Sequence, residues 1–143
     1  MAGGMIASVP PGLLRAFRGT RYTAGPAAAR IGRRCPALDA LLGRQAGAFV
    51  TAWNPRGRRA PPGWNRRAGL TLQGWLRGAS RLAGAGEGRG WREEHWFVVM
   101  DPRRAAVLGR RFRQAAIVIL RRGQPARLML LAAPRRLRPS TPV

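Results

Sequence analysis

Asp39, Glu87, Glu93, Glu94, Asp101 and His95 make up nearly all of the acid–base chemistry available to this chain of 143 residues. Three of them are consecutive: Glu93-Glu94-His95 runs directly into the apolar segment WFVVM. A strand alternates its side chains between faces, so Glu94 and Trp96 point one way and Glu93 and His95 the other. A Glu beside a His can serve as general acid and base, provided that a cleft positions both. The plainer reading is a solvated or Arg-paired Glu next to a hydrogen-bonded His. Neither a G-x-S-x-G elbow nor a telling pair of carboxylates accompanies them, and one cysteine with one histidine makes no zinc cluster. The enzyme case therefore reduces to Glu94 with Thr51 and Asn54 as orienting groups, a small hydrolase at most. A non-catalytic chain is expected, with no cofactor and no metal.

The second group sits in AFVTAWNP, residues 48–55. Apolar β-formers run up to an Asn-Pro turn, which reads as a buried strand delivering its last residues to a loop. Thr51 and Trp53 share a side of that strand, and Asn54 sits where it ends. Polar groups at a strand end over a sheet are a common place for a ligand pocket. The glycine run GAGEGRG has the spacing G-x-G-x-G-x-G at Gly84, Gly86, Gly88 and Gly90. That is neither the dinucleotide fingerprint nor a Walker loop, so a flexible loop is expected, with Arg89 within it free to meet an anion.

Charge dominates the composition. Twenty-seven basic residues, all Arg, stand against five acids, for a net charge of +22. Codon bias toward GC accounts for Arg in place of Lys but not for so few acids. A field of this sign attracts polyanions. Five tryptophans (53, 64, 75, 91 and 96) could stack bases beside those arginines. No run approaches the ~18 apolar residues of a membrane helix, and MAGGMIASVPPG lacks the basic start of a secretory signal. A cytoplasmic protein without membrane association is expected.

The elements that must hold these groups follow from pattern. Residues 1–20 read as a flexible leader, in which Leu13–Thr20 fits either a turn of helix or a first strand, 21–132 as a single domain and 133–143 as a disordered basic tail. Arg21–Ala24 and Ala27–Ile31 flank Gly25-Pro26 as a hairpin. Cys35-Pro36 starts a short helix that Gly43 stops. After the AFVTAWNP strand, Asn65 is read as the N-cap of a helix whose core face is Ala68, Leu72, Trp75, Leu76 and Ala79. Ser80–Ala85 reads as a short edge strand, and His95–Met100 as a buried one. Asp101-Pro102 opens a third helix with Ala105, Leu108, Gly109 and Phe112 inward. Its arginines Arg103, Arg104, Arg110, Arg111 and Arg113 face outward, as a wet side or a polyanion-binding one. Residues 115–120 and 126–131 form a last pair of strands. The expectation is an α+β fold: a mostly antiparallel sheet with helices on one face. Its core would be a ferredoxin-like βαββαβ unit preceded by a hairpin and short helix.

RCPALDALL, AFVTAWNP, the EGRG–W–EEH segment and DPRRAAVLGRRFRQAAIVIL follow one another in an order that resembles the bacterial family catalogued as domain of unknown function 3293. The resemblance spans about Tyr22 to Leu130. It implies a small, cytoplasmic, stand-alone domain with no established activity to carry over. It stresses the positions held here by Thr51, Trp53, Asn54, Asn65, Gly88, Trp91, Glu94 and Gln114. Cys35 departs from it, standing where Ser is more usual before the Pro, and so does the Arg-, Pro- and Gly-rich segment after Asn54-Pro55. The ligand-binding set expected is Thr51, Trp53, Asn54, Asn65, Arg89, Trp91, Glu94 and Gln114, in a binding module for nucleic acid or a small anionic ligand. An interaction protein with an acidic protein partner is the alternative outside both classes.

Overall fold

The computed structural model describes residues 9–131. The tail expected at 133–143, and the leader before residue 9, lie outside the described residues. Helix α1 (Pro11–Gly19) is followed by strands β1 (Arg21–Ala24) and β2 (Ala27–Ala29) and helix α2 (Pro36–Leu42). Then come β3 (Ala46–Val50), a 3₁₀ turn (Pro55–Gly57), α3 (Pro62–Trp75), β4 (Arg81–Gly88) and β5 (Trp91–Val99). Helix α4 (Pro102–Arg111), β6 (Ala116–Arg121) and β7 (Arg127–Leu130) complete the described residues.

All seven strands join one sheet in the order β2-β1-β4-β5-β3-β6-β7, every neighbouring pair antiparallel. The sheet curls into a half-barrel. Beyond its two outer strands the chain meets itself: Gly32 N donates to Ala126 O (2.8 Å) and Ala126 N to Arg33 O (2.9 Å). Among the described residues four helices accompany this sheet, so the α+β class holds. The helices are not on one face, however. Alternation along the central strands separates two cores. Ala48, Val50, Val98, Ile117 and Ile119 meet Leu72 of α3, Leu76 at its C-cap, and Ala105, Ala106 and Leu108 of α4. Phe49, Phe97, Val118 and Leu120 point the other way, where Leu38 and Leu42 of α2 join Tyr22 and Ala24 inside the curl. With helices over both faces, every residue of β3 is buried. This is the physical reason for its unbroken apolar run.

Several local expectations are corrected. Residues 11–19, read as part of a flexible leader, form α1; Pro11 supplies the first turn and the Thr20 hydroxyl donates to Ala16 O at 2.6 Å. Strand β4 is not an edge: it lies between β1 and β5, and most of the glycine run is strand rather than loop. Only Arg89-Gly90 turns, with Gly90 at φ +71. Helix α3 begins at Pro62 with Pro61 as its N-cap, so Asn65 lies inside it. Trp75, assigned to the core face, is 51% exposed. Helix α4 starts as read, the Asp101 carboxylate accepting from Arg103 N at 2.7 Å. No helix among the described residues is long and apolar enough to cross a membrane.

Candidate functional site

Past Val50 the chain leaves the sheet, and hydrogen bonds fix its path. The Thr51 hydroxyl donates to the Glu94 carbonyl (2.7 Å) and accepts from Trp53 N (3.1 Å), stitching the strand end to β5. Asn54 adopts left-handed backbone at φ 48, ψ 63, which Asn tolerates better than most residues. Its Oδ1 accepts from Ala60 N (2.8 Å) and Asn65 Nδ2 (2.9 Å), while its own N donates to Asn65 Oδ1 (3.0 Å). Its Nδ2 donates to Glu93 Oε1 at 2.8 Å. The loop is held from a third side by the turn between α4 and β6: Gln114 Nε2 donates to Trp53 O (3.1 Å) and Arg56 N to Arg113 O (2.7 Å).

These contacts frame a cavity of about 880 Å³ between α1, the Trp53–Ala60 loop, α3 and the start of β5. Phe17, Trp53, Trp91 and Trp96 supply aromatic wall, and Arg59, Arg66 and Arg92 supply positive charge. Two glycines make room for rings. A Cβ at Gly69 of α3 would touch Trp53 Nε1 at 3.4 Å, and one at Gly88 would collide with the Trp91 indole. Glu93 and Glu94 line the same space but differ in their commitments. Glu93 holds Asn54 with Oε1 and faces His95 Nε2 across 3.4 Å with Oε2. His95 is buried, and its Nδ1 has no partner among the described residues. The Tyr22 ring lies 5.7 Å from it, and burial pushes the Tyr22 phenol well above its ordinary range, the Glu93 charge adding to the effect. The Glu94 carboxylate makes no hydrogen bond or ion pair among the described residues.

Of the residues expected to bind a ligand, Trp53, Asn54, Asn65, Trp91, Glu94 and Gln114 line this cavity and Thr51 and Arg89 do not. Thr51 is 8% exposed and its hydroxyl is committed to backbone groups, so the set Glu94, Thr51 and Asn54 does not assemble as reacting groups. Arg89 is exposed on the hairpin turn. Asn65, 4% exposed, spends its amide on Asn54 and Ala60 and belongs to the framework. The arginines Arg103, Arg104, Arg110 and Arg111 of α4 are exposed, as is Arg113, which was expected on that helix but follows it at left-handed φ 55; none lines the cavity. Sequence reasoning missed Glu93 as the acid tied to Asn54, and missed Arg59, Arg66 and Arg92. Arg92 was legible in principle: it lies next to Trp91 at the start of a strand. Arg59 and Arg66 depend on how the proline-rich loop folds back, and no pattern reports that. Among the described residues no three His, Cys, Asp or Glu side chains group as metal ligands.

The model of a family described as "Protein of unknown function (DUF3293)" matches residues 50–117. That segment runs from the last residue of β3 to the second residue of β6, and so takes in most of the cavity wall outside α1. No curated protein and no solved structure matches the chain.

Proposed function

We propose that this chain, a member of the DUF3293 family through residues 50–117, is a non-catalytic binding module. Its ligand is a small anion carrying a flat ring. One observation carries the reading: a single cavity of about 880 Å³ combines the indoles of Trp53, Trp91 and Trp96 with the guanidinium groups of Arg59, Arg66 and Arg92. A volume of that size suits a small organic molecule. An indole face offers stacking to any flat ring, and guanidinium pairs with phosphate or carboxylate in bidentate fashion. Glu94, whose carboxylate is uncommitted, would meet a donor group on the ligand's far edge. The order β4-β5-β3-β6, with α3 after β3 and α4 after β5, supports a ferredoxin-like βαββαβ centre extended by the remaining strands. A cytoplasmic setting is consistent with the single cysteine, buried Cys35.

The hydrolase alternative keeps one observation in its favour, the uncommitted Glu94 carboxylate at the cavity wall. Titrating the full chain with nucleoside monophosphates and aromatic carboxylates, read by tryptophan fluorescence, tests both readings. A ring-bearing anion should quench saturably, and Glu94→Gln should bind it unchanged or slightly tighter, because one negative charge is gone. Hydrolysis of a bound ester that Glu94→Gln abolishes would replace the binding module with an enzyme. Absence of saturable quenching by any ring-bearing anion would remove the proposal.

A further inference from the structure

Helix α3 ends at Trp75, and this tryptophan is not part of the cavity described above. The residue is 51% exposed, and the Arg111 guanidinium of α4 lies over its ring at 4.2 Å from the centroid. Beside it is a separate groove of about 370 Å³ lined by Gln45, Trp75, Arg77, Ser80 and Arg104, with no acid in its lining. The outward face of α4 continues the surface: Arg103, Arg104, Arg110 and Arg111 are exposed around Val107, itself 63% exposed. Helix α4, with the sequence PRRAAVLGRR, contains no carboxylate, and the neighbouring Asp101 carboxylate is turned to Arg103 N as a cap. A solvated Arg face needs no aromatic ring. A half-exposed indole held under a guanidinium, at the rim of a positively charged groove, is what an unstacked base and its flanking phosphates require.

We infer that Trp75, Arg77, Arg104 and Arg111 form a docking surface for single-stranded nucleic acid. A base stacks at Trp75, and phosphates pair with Arg77 and Arg104 across the groove. A duplex keeps its bases stacked on one another and offers nothing to Trp75, so the single strand is preferred. This surface shares no residue with the aromatic cavity, so either proposal can fail without the other.

The test is anisotropy of fluorescein-labelled single-stranded oligothymidylate, and of a duplex of equal length, titrated with the full chain across a salt series. The single strand should bind tighter than the duplex. Trp75→Ala should weaken it about tenfold while leaving the salt dependence unchanged. Trp75→Phe should recover part of that loss. Arg104→Gln should lower the slope of log affinity against log salt by about one. Both positions are on the surface, so each of the three variants is expected to fold, which circular dichroism checks. Equal binding of duplex and single strand, or a Trp75→Ala chain that binds like the parent, overturns the inference. So does an acidic peptide that competes at this surface where oligothymidylate does not bind.

Discussion

Asn54 occupies left-handed backbone while three of its polar atoms serve the loop and Glu93. Replacing it separates conformation from bonding. Asn54→Gly removes the side-chain bonds but fits the backbone, whereas Asn54→Ala also takes on left-handed strain of about 1 kcal/mol. Urea unfolding should therefore rank the parent above Asn54→Gly and Asn54→Ala last. Asn65→Ala should cost about 1–2 kcal/mol, since it leaves the partly buried Asn54 N and Ala60 O without their partner. Tyr22 makes a second prediction at this scale. Its phenol is held above the ordinary 10.0 by burial, with Glu93 contributing, so above pH ~10 the unfolded chain releases a proton that the folded chain keeps. Stability then falls as pH rises, by up to ~1.4 kcal/mol per pH unit from this group, and below pH ~10 the group contributes no slope. Tyr22→Phe should flatten that alkaline decline in unfolding measured against pH. Because the chain has one tyrosine, its ultraviolet phenolate band follows the same group directly.

At the scale of elements, the glycines of β4 show where sequence reading succeeds and where it slips. Rejecting a phosphate loop from the G-x-G-x-G spacing was sound, but a period of two is also the period of a strand face. Gly84, Gly86 and Gly88 strip side chains from one side of β4. A Cβ at Gly84 would strike the Thr23 carbonyl, one at Gly86 would come within 2.9 Å of His95 Cε1, and one at Gly88 would meet Trp91. The clash at Gly84 is with backbone and cannot be relieved by a rotamer change. Gly84→Ala should lower stability by ~3 kcal/mol or more, and Gly86→Ala by less as the His95 ring shifts. Gly88→Ala should cost little stability, because Trp91 is 40% exposed, yet weaken ligand binding by displacing the indole. Thermal melts of the three variants give the order. Strands β3, β5 and β6, helix α4 and its Asp101 cap were legible because apolar runs and caps are local signals. The start of α3 was not. Pro62 suits a first helical position and Asn65 an N-cap, so both starts are acceptable in isolation, and only the tertiary tie to Asn54 commits the Asn65 amide elsewhere.

For the whole molecule, charge and topology act on different levels. The +22 net charge was plain from composition, but composition cannot assign arginines to a site. In the fold, Arg59, Arg66 and Arg92 converge on a cavity, while Arg77, Arg104 and Arg111 gather at a groove elsewhere. The convergence of Asn54, Trp91 and Glu94 was legible because two antiparallel central strands, β3 and β5, must bring the end of one to the start of the other. The curl of the sheet, with Leu38 and Leu42 of α2 buried inside it, is closed by contacts between Ile31–Arg33 and Ala126 that lie far apart in sequence. No local pattern reports such a closure. The most direct measurement of the central claim is calorimetric titration of the full chain with two phosphate monoesters of equal charge, one carrying a flat ring and one aliphatic. The ring-bearing ester should bind at one equivalent and clearly tighter than the other, with Trp91→Ala and Arg66→Gln each weakening it about tenfold. Equal affinity for the two esters, or binding that survives both substitutions, would contradict the claim that the Trp- and Arg-lined cavity is the binding site.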